Sequence, residues 1–220
     1  MVRKILLTCG ILSSLLYVMM NIVAAMRYEG YSSISQTVSE LSAIGAPTRS
    51  LWVWLGYVYT LLIIAFGCGV WQSSEGNRPL RVVGGLIVVY GLISLIWPLT
   101  PMHLRGTEPS LTDTLHIVLA AVTVLLMILM IGFGAAAFGK TFRLYSIVTI
   151  VILLVFGTLT GLDGPRIAAN LPTPWAGVWE RINIGVFLLW IVVLAINVWR
   201  PEKKPHGIKN SDLKFAPHAT

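Results

Sequence analysis

Apolar positions along this chain gather into six long runs, near Ile5–Met26, Leu51–Trp71, Leu80–Leu99, Leu115–Phe138, Phe142–Gly161 and Ile182–Trp199. At about 1.5 Å rise per residue, some 20 apolar residues in a helix cross the hydrocarbon of a bilayer. The runs lack the period-two alternation of barrel strands, and an open sheet leaves its edges unsatisfied in lipid. The pattern therefore predicts an all-α fold, a polytopic bundle of six transmembrane helices with no soluble domain. Small residues within the runs mark where helices should approach one another: Gly67, Gly69, Gly84, Gly91 and the stretch "GFGAAAFG" from Gly132 to Gly139. Residues 1–200 make up this membrane domain. Residues 201–220 read as a basic cytoplasmic tail, whose prolines and lysines disfavour a packed core.

The first run follows Arg3 and Lys4, the flank of a secretory signal. Its apolar stretch exceeds the roughly 7–15 residues such a signal needs, so it is taken as a retained helix. The later topology is the same in either case.

Composition agrees with the runs. Of 220 residues, 56% are hydrophobic and 11% charged, more apolar surface than one soluble core of this size hides. Cys9 and Cys68 both lie within apolar runs, which gives no disulfide framework and leaves the redox compartment open. The net charge of +7 is better read through its distribution. Arg3, Lys4, Arg78, Arg81, Lys140, Arg143, Arg200, Lys203, Lys204, Lys209 and Lys214 fall on one side of the bundle, while Arg27, Arg49, Arg105, Arg166 and Arg181 fall on the other. Basic residues accumulate on the cytoplasmic face, so both termini are expected in the cytoplasm. The charge is then a topology signal and points away from nucleic acid. Membrane lipids are the expected neighbours.

Links on the inner side are short. Those at Arg27–Ser50, Thr100–Thr114 and Leu162–Arg181 are long, and long loops on a rigid bundle are where function usually resides. The first holds "ISQTVSELSAIGAP". Ser33 with Gln36 fits a capping box, Gly45 a C-cap and Pro47 a stop, predicting a helix of about three turns over Ile34–Ile44. It carries an apolar stripe (Ile34, Val38, Leu41) beside a serine stripe (Ser35, Ser39, Ser42). The plain account is an interfacial amphipathic helix. The sharper account sets Ser39 or Glu40 against a pocket beneath it.

In the second loop "SLTD", from Ser110 to Asp113, is a helix start, and Asp113 and His116 share one face of the fourth helix. An aspartate there is expected to orient the imidazole, as in acid-base or metal sites. The plain account is a capped helix with an interfacial histidine. His103 is the other outward histidine. The third loop offers Thr173 and Pro174 as an N-cap and N1 pair, Trp175 and Trp179 as an aromatic belt, and Glu180 and Arg181 opening the sixth helix. The plain reading of that last pair is a snorkelling, belt-level ion pair.

Asp113, His116, Asp163, Arg166, Glu180 and Arg181 thus map to one membrane depth with the Ser39–Glu40 segment. With "SELSAIGAP" before the second helix, a proline-containing end to the third, His116 opening the fourth and "ERI" opening the sixth, residues 5–199 resemble a prokaryotic six-helix membrane family catalogued as domain of unknown function 998. The resemblance implies an aspartate shortly after the proline that ends helix three; this chain has Pro101, Met102 and His103 there. The resemblance implies a fold and no reaction.

Two functions of different class are open. One is an outward polar pocket that binds or moves a lipid-like amphiphile, with Asp163, Arg166, Glu180 and Arg181 at the ligand and Tyr17, Tyr57, Tyr90 and Asn21 along a polar lining. The other is a hydrolase centre with candidate catalytic residues Ser39, Glu40, Asp113 and His116, in which His103 and His116 are weak metal candidates. No metal-binding spacing such as a paired-histidine helix motif appears, and no cofactor is named by any motif. A bis-histidine haem lacks a second membrane-embedded histidine.

Overall fold

The computed structural model describes residues 1–199, and the expected tail, 201–220, lies outside the described residues. Seven α-helices follow in order: α1 (Val2–Arg27), α2 (Arg49–Gln72), α3 (Arg78–Ser94), α4 (Leu111–Ala137), α5 (Lys140–Leu162), the short α6 (Gly164–Ala168) and α7 (Ala176–Trp199). Six spans are long and apolar enough to cross a membrane, α5 and α6 counting as one. The helices form a closed ring in the order α1, α2, α3, α4, α5, α7, with α4 scarcely touching α7 across it.

Local chemistry sets the helix starts. Asn77 accepts from the Leu80 amide at 3.1 Å and Pro79 enters the first turn of α3, where its missing N–H costs nothing. Ser110 and Asp113 form the expected capping box on α4. The third span ends its α-helix at Ser94, earlier than the apolar run suggests, and tightens into a 3₁₀ turn over Trp97–Leu99. Pro98 lacks the N–H that a continuing helix would use.

Glycines admit the close approaches. A Cβ on Gly84 would lie 2.6 Å from the Trp71 amide nitrogen, one on Gly69 2.8 Å from the Leu6 Cβ, and one on Gly134 2.5 Å from Trp190. Gly132 and Gly139 face open space, so within "GFGAAAFG" the packing falls to Gly134 rather than to the whole stretch. Trp190, Phe66, Phe187, Leu7 and Ile63 fill the interior. Polar bonds tie neighbouring helices: Ser14 donates to the Leu188 carbonyl at 3.1 Å, Trp190 to Ser146 at 3.0 Å and Asn183 to the Leu153 carbonyl at 2.6 Å. Leu15, Leu61, Val118, Val151 and Leu189 are exposed on the outside of the ring. That apolar girdle suits lipid.

Because successive spans are antiparallel, residues 28–48, 95–110 and 163–175 collect at one end of the ring, and the two-to-five-residue links 73–77 and 138–139 lie at the other. The expected three-turn helix over Ile34–Ile44 does not form. A turn at Ser32–Gln36 is followed by a 3₁₀ helix of only four residues, Ser39–Ser42. Side chains take two amides an α-helix would have used, since Glu40 accepts from Thr37 and Glu180 from Val38, while Gln36 accepts from Ser32 just ahead of the expected start. Gly45, with φ of +88°, ends the segment as its glycine predicts.

Candidate functional site

Arg105 is the centre of the loop end. Its Nε donates to Glu40 Oε1 at 2.5 Å and its Nη2 to Glu40 Oε2 at 2.9 Å, a bidentate pair. The same guanidinium donates to Thr173 at 2.7 Å and to the Ser35 carbonyl at 2.8 Å. One side chain therefore fastens all three long loops, and planar forked geometry is what makes arginine suited to this. Glu40 is only 1% exposed. Burial raises its carboxyl, but Arg105 and Thr37 outweigh that effect and hold it below the ordinary glutamate range. With both oxygens occupied, Glu40 is built as an anchor. Thr173 donates to the Ser35 carbonyl at 2.9 Å, so its hydroxyl crosses between loops instead of capping α7, which starts at Ala176.

The first turns of α7 grip the first loop. Glu180 accepts from the Val38 amide and, at 3.0 Å, from the Ser39 hydroxyl. Arg181 donates to the carbonyls of Ser33 and Gln36 at 2.9 and 3.0 Å and to the Tyr31 hydroxyl at 2.7 Å. The expected Glu180–Arg181 ion pair is thus replaced by two separate grips on one loop. Gly177 permits the approach, since a Cβ there would strike the Gln36 and Ser33 carbonyls. Burial, opposed by Arg181, pushes the Tyr31 phenol up to about 12.

The histidines are partnered differently from the sequence expectation. Asp113 accepts from the His103 ring Nδ1 at 2.8 Å and from the His103 amide at 2.7 Å. His116 instead points its Nδ1 at the Thr100 carbonyl, 2.8 Å away, and packs edge-on against Trp97. The helix places Asp113 and His116 on one face, but the loop carries His103 into the carboxylate first. Among the described residues no group of three His, Cys, Asp or Glu side chains converges, so a metal-ligand set built on His103 and His116 does not assemble. Arg166 is exposed and folds back on the Pro172 carbonyl at 2.8 Å. Asp163 ends α5 without a side-chain cap bond.

Beneath this loop cap the ring encloses an open cavity of about 970 Å³. Of the expected site residues, Ser39, His103, Asp113, His116 and Glu180 line it, whereas Glu40, Asp163, Arg166 and Arg181 do not. Tyr17, Tyr57 and Tyr90 line it as expected; Asn21 does not. Arg49, Trp52, Tyr59, Arg105 and Thr123 also belong to the wall, beyond the residues expected from sequence. Tyr59 and Tyr90 share a hydrogen bond of 3.2 Å, while the buried Thr123 hydroxyl has no partner. Aromatic residues at helical spacing are visible along α2, but nothing in a single sequence distinguishes Arg49 or Arg105 from any other loop arginine.

Six membrane-length helices with an apolar girdle and a mainly apolar cavity under one end define a multi-pass membrane protein. Residues 11–197 match the family described as Protein of unknown function (DUF998), and the chain belongs to that family. No curated protein and no solved structure matches it.

Proposed function

We propose that this protein binds or moves a lipid-like amphiphile, held in the loop-end cavity within a prokaryotic cytoplasmic membrane, with both termini in the cytoplasm and the cavity end outward. The charge asymmetry of the links supports that orientation. The observation carrying the reading is the composition of the cavity wall. Polar and charged groups, Ser39, Arg49, His103 and Glu180 among them, stand under the loop cap, and the wall becomes apolar along α4 and α5. Ile117 and Leu125 on α4 and Leu154 on α5 line the cavity and are also 67%, 56% and 47% exposed, on the flank that lipid covers. A tail enters sideways there while a headgroup meets the cap. Concave, mainly apolar sites with a few fixed polar groups are the usual form of small-molecule pockets.

A hydrolase reading has one observation in its favour, the 3.0 Å bond from the Ser39 hydroxyl to Glu180. It ranks second. The His116–Asp113 pair it relied on is not made, and Glu180 is already held by the Val38 amide.

Purified protein in a maltoside micelle should retain a stoichiometric lipid on extraction and mass spectrometry. Ala121→Trp, placed in the α4 wall, should release that lipid without lowering thermal stability. Protein that carries no lipid and takes up no added amphiphile would remove the reading.

A further inference from the structure

The charges on the cavity wall do not all cancel. Arg105 is consumed by the Glu40 carboxylate, and Asp113 is held by hydrogen bonds from the His103 ring and amide. Glu180 and Arg49 also line the cavity, and neither is in an ion pair among the described residues. Glu180 is met only by the Val38 amide and the Ser39 hydroxyl, while Arg181 beside it turns to carbonyls of the first loop. Arg49 donates to the carbonyls of Ser42 and Pro98, at 2.7 and 3.2 Å, which orient its guanidinium without neutralising it. Ionisable groups at the edge of a membrane domain ordinarily pair or face a functional cavity.

These two side chains grip opposite ends of one short element. Glu180 holds the start of the Ser39–Ser42 turn and Arg49 holds its last carbonyl. At about 2 Å rise per residue in a 3₁₀ helix, the backbone points they hold lie roughly 6–8 Å apart along its axis. Aromatic rings belong to the same wall: Tyr17 packs edge-on against Trp52 and Tyr59, with centroids 5.8 and 5.2 Å apart, and all three line the cavity. A carboxylate and aromatic rings in one wall suit an ammonium group. A guanidinium suits a phosphate.

We propose that the cavity is selective for a zwitterionic amphiphile, with its ammonium at Glu180 and the aromatic wall, its phosphate at Arg49, and its apolar chains in the α4–α5 opening. This deepens the amphiphile reading and rests on it for the chains alone. The shared chemistry is phosphoethanolamine, supplied either within a membrane lipid or as a soluble headgroup.

The test uses the full-length protein in maltoside, with intrinsic tryptophan fluorescence and calorimetry as readouts. The probes are dihexanoylphosphatidylethanolamine, dihexanoylphosphatidylglycerol, octyltrimethylammonium, octyl glucoside and glycerophosphoethanolamine. The zwitterionic lipid should bind roughly ten-fold or more tighter than the anionic lipid, the alkylammonium or the neutral glucoside. Glu180→Gln should abolish its advantage over phosphatidylglycerol, and Arg49→Gln its advantage over the alkylammonium, with Arg49→Lys retaining most of it. Equal binding of both lipids by the unaltered protein overturns the inference and leaves the amphiphile reading standing, a result that needs no variant to fold. Tight binding of glycerophosphoethanolamine alone, equal to that of the lipid, keeps the charge pair and removes the amphiphile reading. No binding by any probe removes both.

Discussion

At the scale of single residues, the loop end turns on the pairing of Glu40 with Arg105. Glu40 is buried against Arg105, whose side chain is itself only 15% exposed. Glu40→Gln leaves that guanidinium buried without its counter-charge, and the expected loss of stability is about 3–5 kcal/mol. The pH dependence follows from the depressed carboxyl. A group whose folded value lies below its unfolded one stabilises fully above the unfolded value and loses that effect as pH falls through the folded one. The stability gap between the parent and Glu40→Gln should therefore be complete above pH 4.5, the ordinary value for the carboxyl, and close progressively on acidification below it. Unfolding of both proteins across that range checks the prediction, and a gap that is independent of pH would show that the pair does not depend on the Glu40 charge.

Among the elements, the long helices were legible because apolar composition accumulates over some 20 positions, and the α4 capping box was legible because it needs only four neighbouring residues. The Ile34–Ile44 segment has helix-like spacing and correct punctuation, yet its Thr37 and Val38 amides are taken by Glu40 and Glu180. Tertiary partners overrode a local pattern. Helix contact is equally selective. Gly84→Ala drives a methyl toward the Trp71 backbone, which cannot swing aside, and should cost about 1–3 kcal/mol by forcing α2 and α3 apart. Gly132→Ala meets open space and should be neutral or stabilising by up to about 1 kcal/mol through helix propensity. Melting temperatures of the two variants against the parent decide this, and similar losses for both would mean that propensity rather than α2–α3 contact governs.

For the whole molecule the central prediction concerns sidedness. In a Cys9→Ala, Cys68→Ala background, Ser110→Cys and Glu75→Cys place single thiols at exposed positions on opposite ends of the ring. An impermeant maleimide applied to intact cells should label the first and not the second. The reverse pattern would turn the cavity toward the cytoplasm. The same ring also explains why the cavity exists: α4 is held by α3 and α5 and barely meets α7, so the space between them stays open under a cap pinned by Arg105.

Six spans, the absence of a disulfide framework and the gathering of long loops at one end were determined by the sequence alone. Each is a sum over many residues or a matter of strict neighbours, and neither requires knowing which helix lies beside which. The partners were decided by the tertiary structure. Asp113 had His116 on its own helical face, yet the loop brought His103 to it; Glu40 found Arg105, and Glu180 found Val38 and Ser39, across 65, 142 and 141 positions of chain. A hydrogen bond fails beyond a few tenths of an ångström from its proper length. Such distances between loops follow from the packing of the whole ring, and no periodicity in the chain encodes them.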